Sequence, residues 1–201
     1  MTARIELVSS SPGGVNTWII GDRDEVIVID PGRDPAAVLD AVGDREVLAV
    51  ICTHGHADHV AAALEVAERD EAPVALHPRD RQLWREEHDD DAEIEMADGG
   101  IFEVADVALE VMYTPGHTDG SVCLYCEGLG AVFTGHVLAV DGPVRHEDEF
   151  PDFAEQMNAI GEQLLTLPAG TRVLPGHGEE TTIGAAEKEF DSWFAVGPGS
   201  D

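Results

Sequence analysis

The sequence predicts an α/β protein in which two β-sheets pack face to face with helices outside. Three observations lead there. The chain of 201 residues is 43% hydrophobic, enough for one sizeable core. Its β-rich runs fall into two groups, each followed by a stretch mixing helical and strand patterns. No repeat or linker divides it, so residues 1–201 are expected to form a single domain. One doubly wound parallel sheet would instead alternate strand and helix throughout.

In chain order, residues 4 to 8, 15 to 20 ("VNTWII") and 25 to 29 ("EVIVI") carry the alternating or β-branched pattern of strands. Asp34-Pro35 then opens a helix over 35 to 42, because Asp caps the free amides and Pro suits the first turn. A strand over 47 to 51 ("VLAVI") precedes a helix over 58 to 69, and a helical pattern covers 78 to 88. The acidic stretch 86 to 100 reads as a solvated helix end and loop. Strand patterns follow at 101 to 113, 121 to 126 and 131 to 134, a helix at 152 to 166 and a strand at 171 to 174.

Charge narrows the partners. The chain carries 41 acidic and 11 basic residues, a net −30, and Lys188 is its single lysine. Such a field repels phosphate backbones and anionic membranes, so a small-molecule substrate is expected, with no nucleic acid and no membrane. The start "MTARIELVSSS" shows no charged flank followed by an apolar stretch, and no segment reaches the roughly 18 apolar residues of a membrane span. Together with three cysteines in no disulfide framework, this predicts a soluble, cytoplasmic protein.

The chemistry concentrates at strand ends. "CTHGHADHV" places His54, His56, Asp58 and His59 behind the strand ending near 51. His117 lies in "YTPGHTDGS", His136 in "FTGHVL" and His177 in "LPGHGEE". Loops at strand ends are where scaffolds carry function, and Gly55, Gly116, Gly135 and Gly176 let the backbone turn sharply beside each histidine. His54 and His56, two apart in extended chain, can point the same way, while Asp58 and His59 open the next helix and aim elsewhere. One motif can thus serve two neighbouring metals. Imidazole with carboxylate suits Zn²⁺ and other first-row ions.

These motifs resemble the metallo-β-lactamase-fold hydrolases, and within them the glyoxalase II-like thioester hydrolases. "VIDPG", "THGHADH", "TPGHTDGSVCLY", "AVFTGH" and "VLPGHGEETTIGAAEKEF" carry the resemblance over nearly the whole chain. It implies a four-layer αββα sandwich of two mixed sheets. It also implies a metal-dependent hydrolase that attacks a small acyl thioester with metal-bound hydroxide, with two Zn²⁺ per chain as the expected cofactor and one metal or Fe as the alternative. By the same resemblance His54, His56 and His117 hold one metal, Asp58, His59 and His177 the other, and Asp58 also orients the attacking water.

The third motif departs from that pattern: His136 stands where a bridging Asp is usual. A carboxylate spans two ions, whereas neutral imidazole offers one lone pair to one ion. Three outcomes remain open: His136 binds the second metal alone, it turns aside, or the site keeps one metal. The competing readings are an oxidoreductase resembling the single-iron persulfide dioxygenases and a metal-binding relative that has lost turnover. A missing secretion signal counts against β-lactam hydrolysis. A thiolate leaves without a general acid, which no histidine or carboxylate outside the ligand set plainly supplies, so a thioester or activated ester suits better than an amide.

The remaining candidates have structural readings. Cys123 and Cys126, three apart in a strand, face opposite sides, and Cys52 packs in the sheet. His77 and His88 are expected at the surface or at helix starts, His146 in a solvated loop, Asp30 in a turn or cap, and Trp18, Trp84 and Trp193 in packing.

Overall fold

The computed structural model describes residues 2–9, 14–144 and 152–196. His146 lies outside them. Two six-stranded sheets form the centre. The first is ordered β1 (Arg4–Ser9), β2 (Asn16–Gly21), β3 (Glu25–Ile29), β4 (Glu46–Ile51), β5 (Val74–Leu76), β6 (Ile94–Glu95). Its pairing is antiparallel from β1 to β3 and parallel from β3 to β6. The second sheet contains β7 (Ile101–Val104), β8 (Val107–Tyr113), β9 (Val122–Cys126), β10 (Ala131–Gly135), β11 (Arg172–Pro175) and β12 (Thr181–Thr182). It is antiparallel except where β10 runs parallel to β11.

Side-chain alternation along each strand builds the layers. In β2 and β3, Trp18, Ile20, Ile27 and Ile29 face the other sheet and meet Leu109, Val111, Leu124, Phe133 and Leu174. The intervening Ile19, Val26 and Val28 face outward, under α1 (Pro35–Val42), α3 (Ala63–Glu68) and α4 (Arg81–Glu87), which supply Val38, Val42, Val66 and Trp84. On the far side, Cys123, Val132 and Val173 pack against Met157 and Ile160 of α5 (Phe153–Glu162) and Ile183 and Ala186 of α6 (Ile183–Val196). The result is the helix–sheet–sheet–helix sandwich. Strands covered on both faces need apolar residues at every position, which is why "NTWIIG" and "EVIVI" read as continuous runs. Among the described residues no helix is long and apolar enough to cross a membrane.

Several expected elements are divided. The run 101 to 113 is a hairpin, β7 and β8, turning at Ala105 with φ +52°. The expected helix 58 to 69 is a single turn, α2 (Ala57–Val60), followed by α3. The pattern over 78 to 88 is a 3-10 turn, Pro78–Asp80, and then α4, while 152 to 166 is α5 with a 3-10 turn at Leu164–Thr166. The acidic stretch is largely exposed, yet contributes β6. The cysteines pack as expected: Cys126 faces between the sheets, Cys123 faces α5, and Cys52 is buried under α3 and α4. Burial pushes the Cys123 thiol up to about 12.

Candidate metal centre

The loops after β4, β8, β10 and β11 bring all seven expected ligands together. Three groups of donor atoms form among the described residues: His54, His56, His117 and His136; Asp58, His59, His136 and His177; and, from residues that are all buried, Asp30, His54 and His59. His136 belongs to the first two. His54, His59, His117 and His136 are buried, and His56, Asp58 and His177 are partly exposed at the mouth.

Local geometry follows from the elements. β4 ends at Ile51, and His54 and His56 occupy the extended loop before α2, whose first turn carries Asp58 and His59. β10 ends on Gly135 at φ +49°, a left-handed conformation natural to glycine, and this turn delivers His136. Gly55 and Gly176 serve differently from the sharp turns expected of them, because neither has a positive φ. A Cβ at Gly55 would strike Leu83 and Asp80, and one at Gly176 would strike the His59 ring. They permit close approach.

The hydrogen bonds assign which ring nitrogens carry protons. Asp30 accepts the Thr53 amide at 2.8 Å and the Thr53 hydroxyl at 2.7 Å. With its proton directed to Asp30, Thr53 Oγ1 accepts from His54 Nδ1 at 3.1 Å, leaving His54 Nε2 with a lone pair. That nitrogen is buried and has no hydrogen-bond partner. Desolvation, then the neighbouring imidazoles, hold His54 well below the usual histidine range, so the lone pair persists. Asp30 Oδ2 also lies 3.0 Å from His59 Nδ1, a nitrogen that makes no hydrogen bond. His117 Nδ1 donates to the Val144 carbonyl at 3.2 Å, leaving its Nε2 as an acceptor.

The freed nitrogens converge. His117 Nε2 lies 3.1 Å from His56 Nδ1 and 3.0 Å from His136 Nδ1, and His59 Nε2 lies 3.0 Å from His136 Nε2. One proton cannot serve three nitrogens gathered at one point, whereas a cation with bonds of about 2 Å can. The donor set therefore fits divalent metal.

Two carboxylates support the donors from behind. Asp30, which the sequence assigns to a turn or cap, instead orients His54 through Thr53 and His59 directly, its own backbone held at φ +50°. Asp80 accepts from the Gly55 and Gly120 amides and the Thr118 hydroxyl, tying the His54–His56 loop to the His117 loop. Nothing in "HPRDRQ" marks Asp80, whereas Asp30 closes the apolar run "EVIVI" and could have been read as a buried carboxylate. His77 does start a 3-10 turn but is buried and stacked on Tyr113. His88 corrects the expectation for it: it follows the end of α4, half-buried, at 2.9 Å from the Val60 carbonyl. Trp18 and Trp84 pack in the core as expected.

Comparison with known proteins agrees with this fold. Residues 10–177 match the family described as the metallo-beta-lactamase superfamily. An uncharacterized protein of Aquifex aeolicus is 31% identical, covering 93% of this chain and 95% of its own length. A probable metallo-hydrolase of Bacillus subtilis, YqgX, is 29% identical over 86% of this chain and 89% of its own. The hydroxyacylglutathione hydrolase GloC of Haemophilus influenzae is 24% identical, with 92% and 95% covered. Among solved structures, the BLEG-1 B3 metallo-beta-lactamase superposes with TM-score 0.83 at 26% identity, covering 92% of this chain and 97% of that one. ETHE1 from Myxococcus xanthus gives 0.81 at 26%, covering 96% and 89%. TTHA1623 in a di-iron-bound form gives 0.79 at 27%, covering 91% and 97%.

Proposed function

The chain belongs to the metallo-β-lactamase superfamily, and from that premise we propose that it is a metal-dependent hydrolase of small acyl thioesters, in the glyoxalase II-like manner. The carrying observation is the pair of donor groups that meet at His136. His54, His56 and His117 would hold one cation, and Asp58, His59 and His177 a second. A divalent ion bound there polarises a substrate carbonyl and acidifies water.

The chain's own residues favour a leaving group that departs unaided. Burial opposes ionisation of Asp58, but the hydrogen bond from His177 and the nearness of His59 outweigh it and hold the carboxyl far below the usual carboxylate range. Asp58 is therefore an acceptor, suited to orienting water and unable to protonate a departing atom. Asp30 and Asp80 are committed to donors of their own. A thiol of pKa near ~8.5 leaves as thiolate, whereas an amine needs a proton. The names of the YqgX and GloC relatives support hydrolysis and, for the latter, a thioester.

The test is metal content alongside thiol release from a panel of acyl thioesters, with a β-lactam as the amide control. Thioester kcat/KM should exceed the β-lactam value by about a hundredfold or more, the factor commonly supplied by a general acid. The likeness to ETHE1 and to the di-iron-bound form of TTHA1623 keeps a second reading, iron-dependent oxidoreduction. One iron per chain with dioxygen uptake and no thioester turnover would replace the hydrolase reading with it.

A further inference from the structure

We infer that Gln156 is a positioning residue of the metal centre: its buried amide grips the backbone turn that carries His136 and locks that turn to the His117 loop. The inference rests on the metal-centre reading above but not on the identity of the substrate.

Gln156 breaks the pattern of its helix. On α5 it lies three residues after Phe153 and four before Ile160, on the stripe where a helix of 3.6 residues per turn places core side chains. Met157, Ile160 and Leu164 line that face with apolar groups, and Gln156 is as fully buried as they are. Burying an amide there costs free energy unless its polar atoms find partners. Its nitrogen finds them: Gln156 Nε2 donates to the carbonyls of His136 at 3.2 Å and Val137 at 3.0 Å, with the Val144 carbonyl at 3.5 Å. Its oxygen finds none among the described residues. Packing does not account for this choice, because Met has nearly the same shape and leaves no buried acceptor unmatched. What accounts for it is the backbone that the amide holds.

The three carbonyls belong to one small frame. β10 ends in the left-handed Gly135, and the chain turns through His136 and Val137 before returning at Val144, whose amide donates to the His136 carbonyl at 3.3 Å. The Val144 carbonyl also lies 3.2 Å from His117 Nδ1. One side-chain amide thus reaches both limbs of the loop. The backbone of the same residue closes the other side: a Cβ on Gly116 would strike the nitrogen, Cα and Cβ of Gln156, so the His117 loop lies directly against this turn of α5. Removing the amide frees the peptide that follows His136 to rotate, and the ring moves with it.

The test compares Gln156→Met, which keeps the shape and removes the donors, with Leu164→Ala, a core truncation beyond the end of α5. Both should lower Tm. Zn²⁺ affinity, titrated against a chromogenic chelator, should fall about 10–100-fold in Gln156→Met and stay native in Leu164→Ala. The Co²⁺-loaded Gln156→Met chain should show altered visible d–d bands, which report ligand geometry, whereas Leu164→Ala should keep the native spectrum. Native affinity and spectrum in Gln156→Met overturn the inference, and so does an equal change in both variants. If a variant does not fold, the native chain still decides. By NMR, the Gln156 side-chain amide protons should exchange with solvent about tenfold or more slowly than those of the exposed Gln82, and should shift when Zn²⁺ is added. Exchange as fast as that of Gln82 overturns the inference. A chain that binds no ion overturns the proposed function together with it, whereas lost affinity in Gln156→Met with no thioester turnover in the native chain overturns that function alone.

Discussion

Asp80 accepts the Gly55 amide at 2.8 Å, joining the loop of His54 and His56 to a carboxylate from the turn before α4. The same carboxylate takes the Gly120 amide and the Thr118 hydroxyl, each at 2.7 Å. Glycine at 55 and 120 is what lets the two loops close over it, since a Cβ at either position would strike Asp80. Asp80→Ala strands these buried donors, at about 1–3 kcal/mol for each left unpaired. Because both loops carry ligands, metal affinity should fall by about 10–100-fold, the usual effect of losing a supporting partner. Titration with a chromogenic chelator and a melting curve would check both. Asp80→Asn should recover part of the stability, because its amide oxygen still accepts from one amide.

Gly176→Ala separates close approach from turn geometry. Its backbone angles suit any residue, but the added Cβ would meet Cε1 of His59 while the backbone is pinned by the Gly176 amide bonded to the Gly135 carbonyl at 2.8 Å. The ring must rotate, which moves Nε2 away from His136. Overpacking of this kind costs about 1–3 kcal/mol. The variant should fold, melt lower and release one of its metal ions more readily than the other. Loss of both ions with equal ease would show that His59 does not belong to a separate position.

The layers and the seven histidine-motif residues were legible because each announces itself locally: buried strands by continuous apolar runs, ligands by histidines beside glycine. The weakly marked pieces are those whose signal is tertiary. β5, β6 and β12 have two or three residues each, too few for a period, and exist because neighbouring strands offer free backbone edges. α6 was missed although Ile183, Ala186, Phe190 and Trp193 form a helical stripe, because its polar residues and neighbouring glycines diluted the pattern. Neither the part of Asp80 nor the two-sided position of His136 is visible in sequence, since each depends on which atoms of distant loops face one another.

Metal removal should cost stability as well as activity. A cation held there would tie together the loops after β4, β8, β10 and β11, which supply the donor groups. An ion that binds only the folded chain stabilises it by about 2.7 kcal/mol when present at a hundred times its dissociation constant. For a chain of this size each kcal/mol moves Tm by about 2–4 °C, so chelation should lower Tm by several degrees and Zn²⁺ should restore it. An unchanged Tm would mean that the folded chain does not bind the ion tightly.

Salt should act in the opposite sense from a chain held together by surface ion pairs. Screening weakens attractions such as Arg85 with Asp91 at 2.9 Å and Arg172 with Glu180 at 2.8 Å. These pairs are largely exposed, and each contributes about 0–1 kcal/mol at most. Screening equally weakens repulsion within a net charge of −30, spread over an excess of acidic residues that includes the exposed Glu68, Glu71, Asp90 and Glu93 beside one another. At low salt the Debye length is about 30 Å, so acidic groups across the molecule oppose folding, and at 1 M it is about 3 Å, leaving only nearest neighbours. Repulsion involves many more pairs than attraction and is the larger loss. Tm should therefore rise steadily with KCl between about 0.01 and 1 M, and a flat or falling curve would show that the ion pairs outweigh the excess charge.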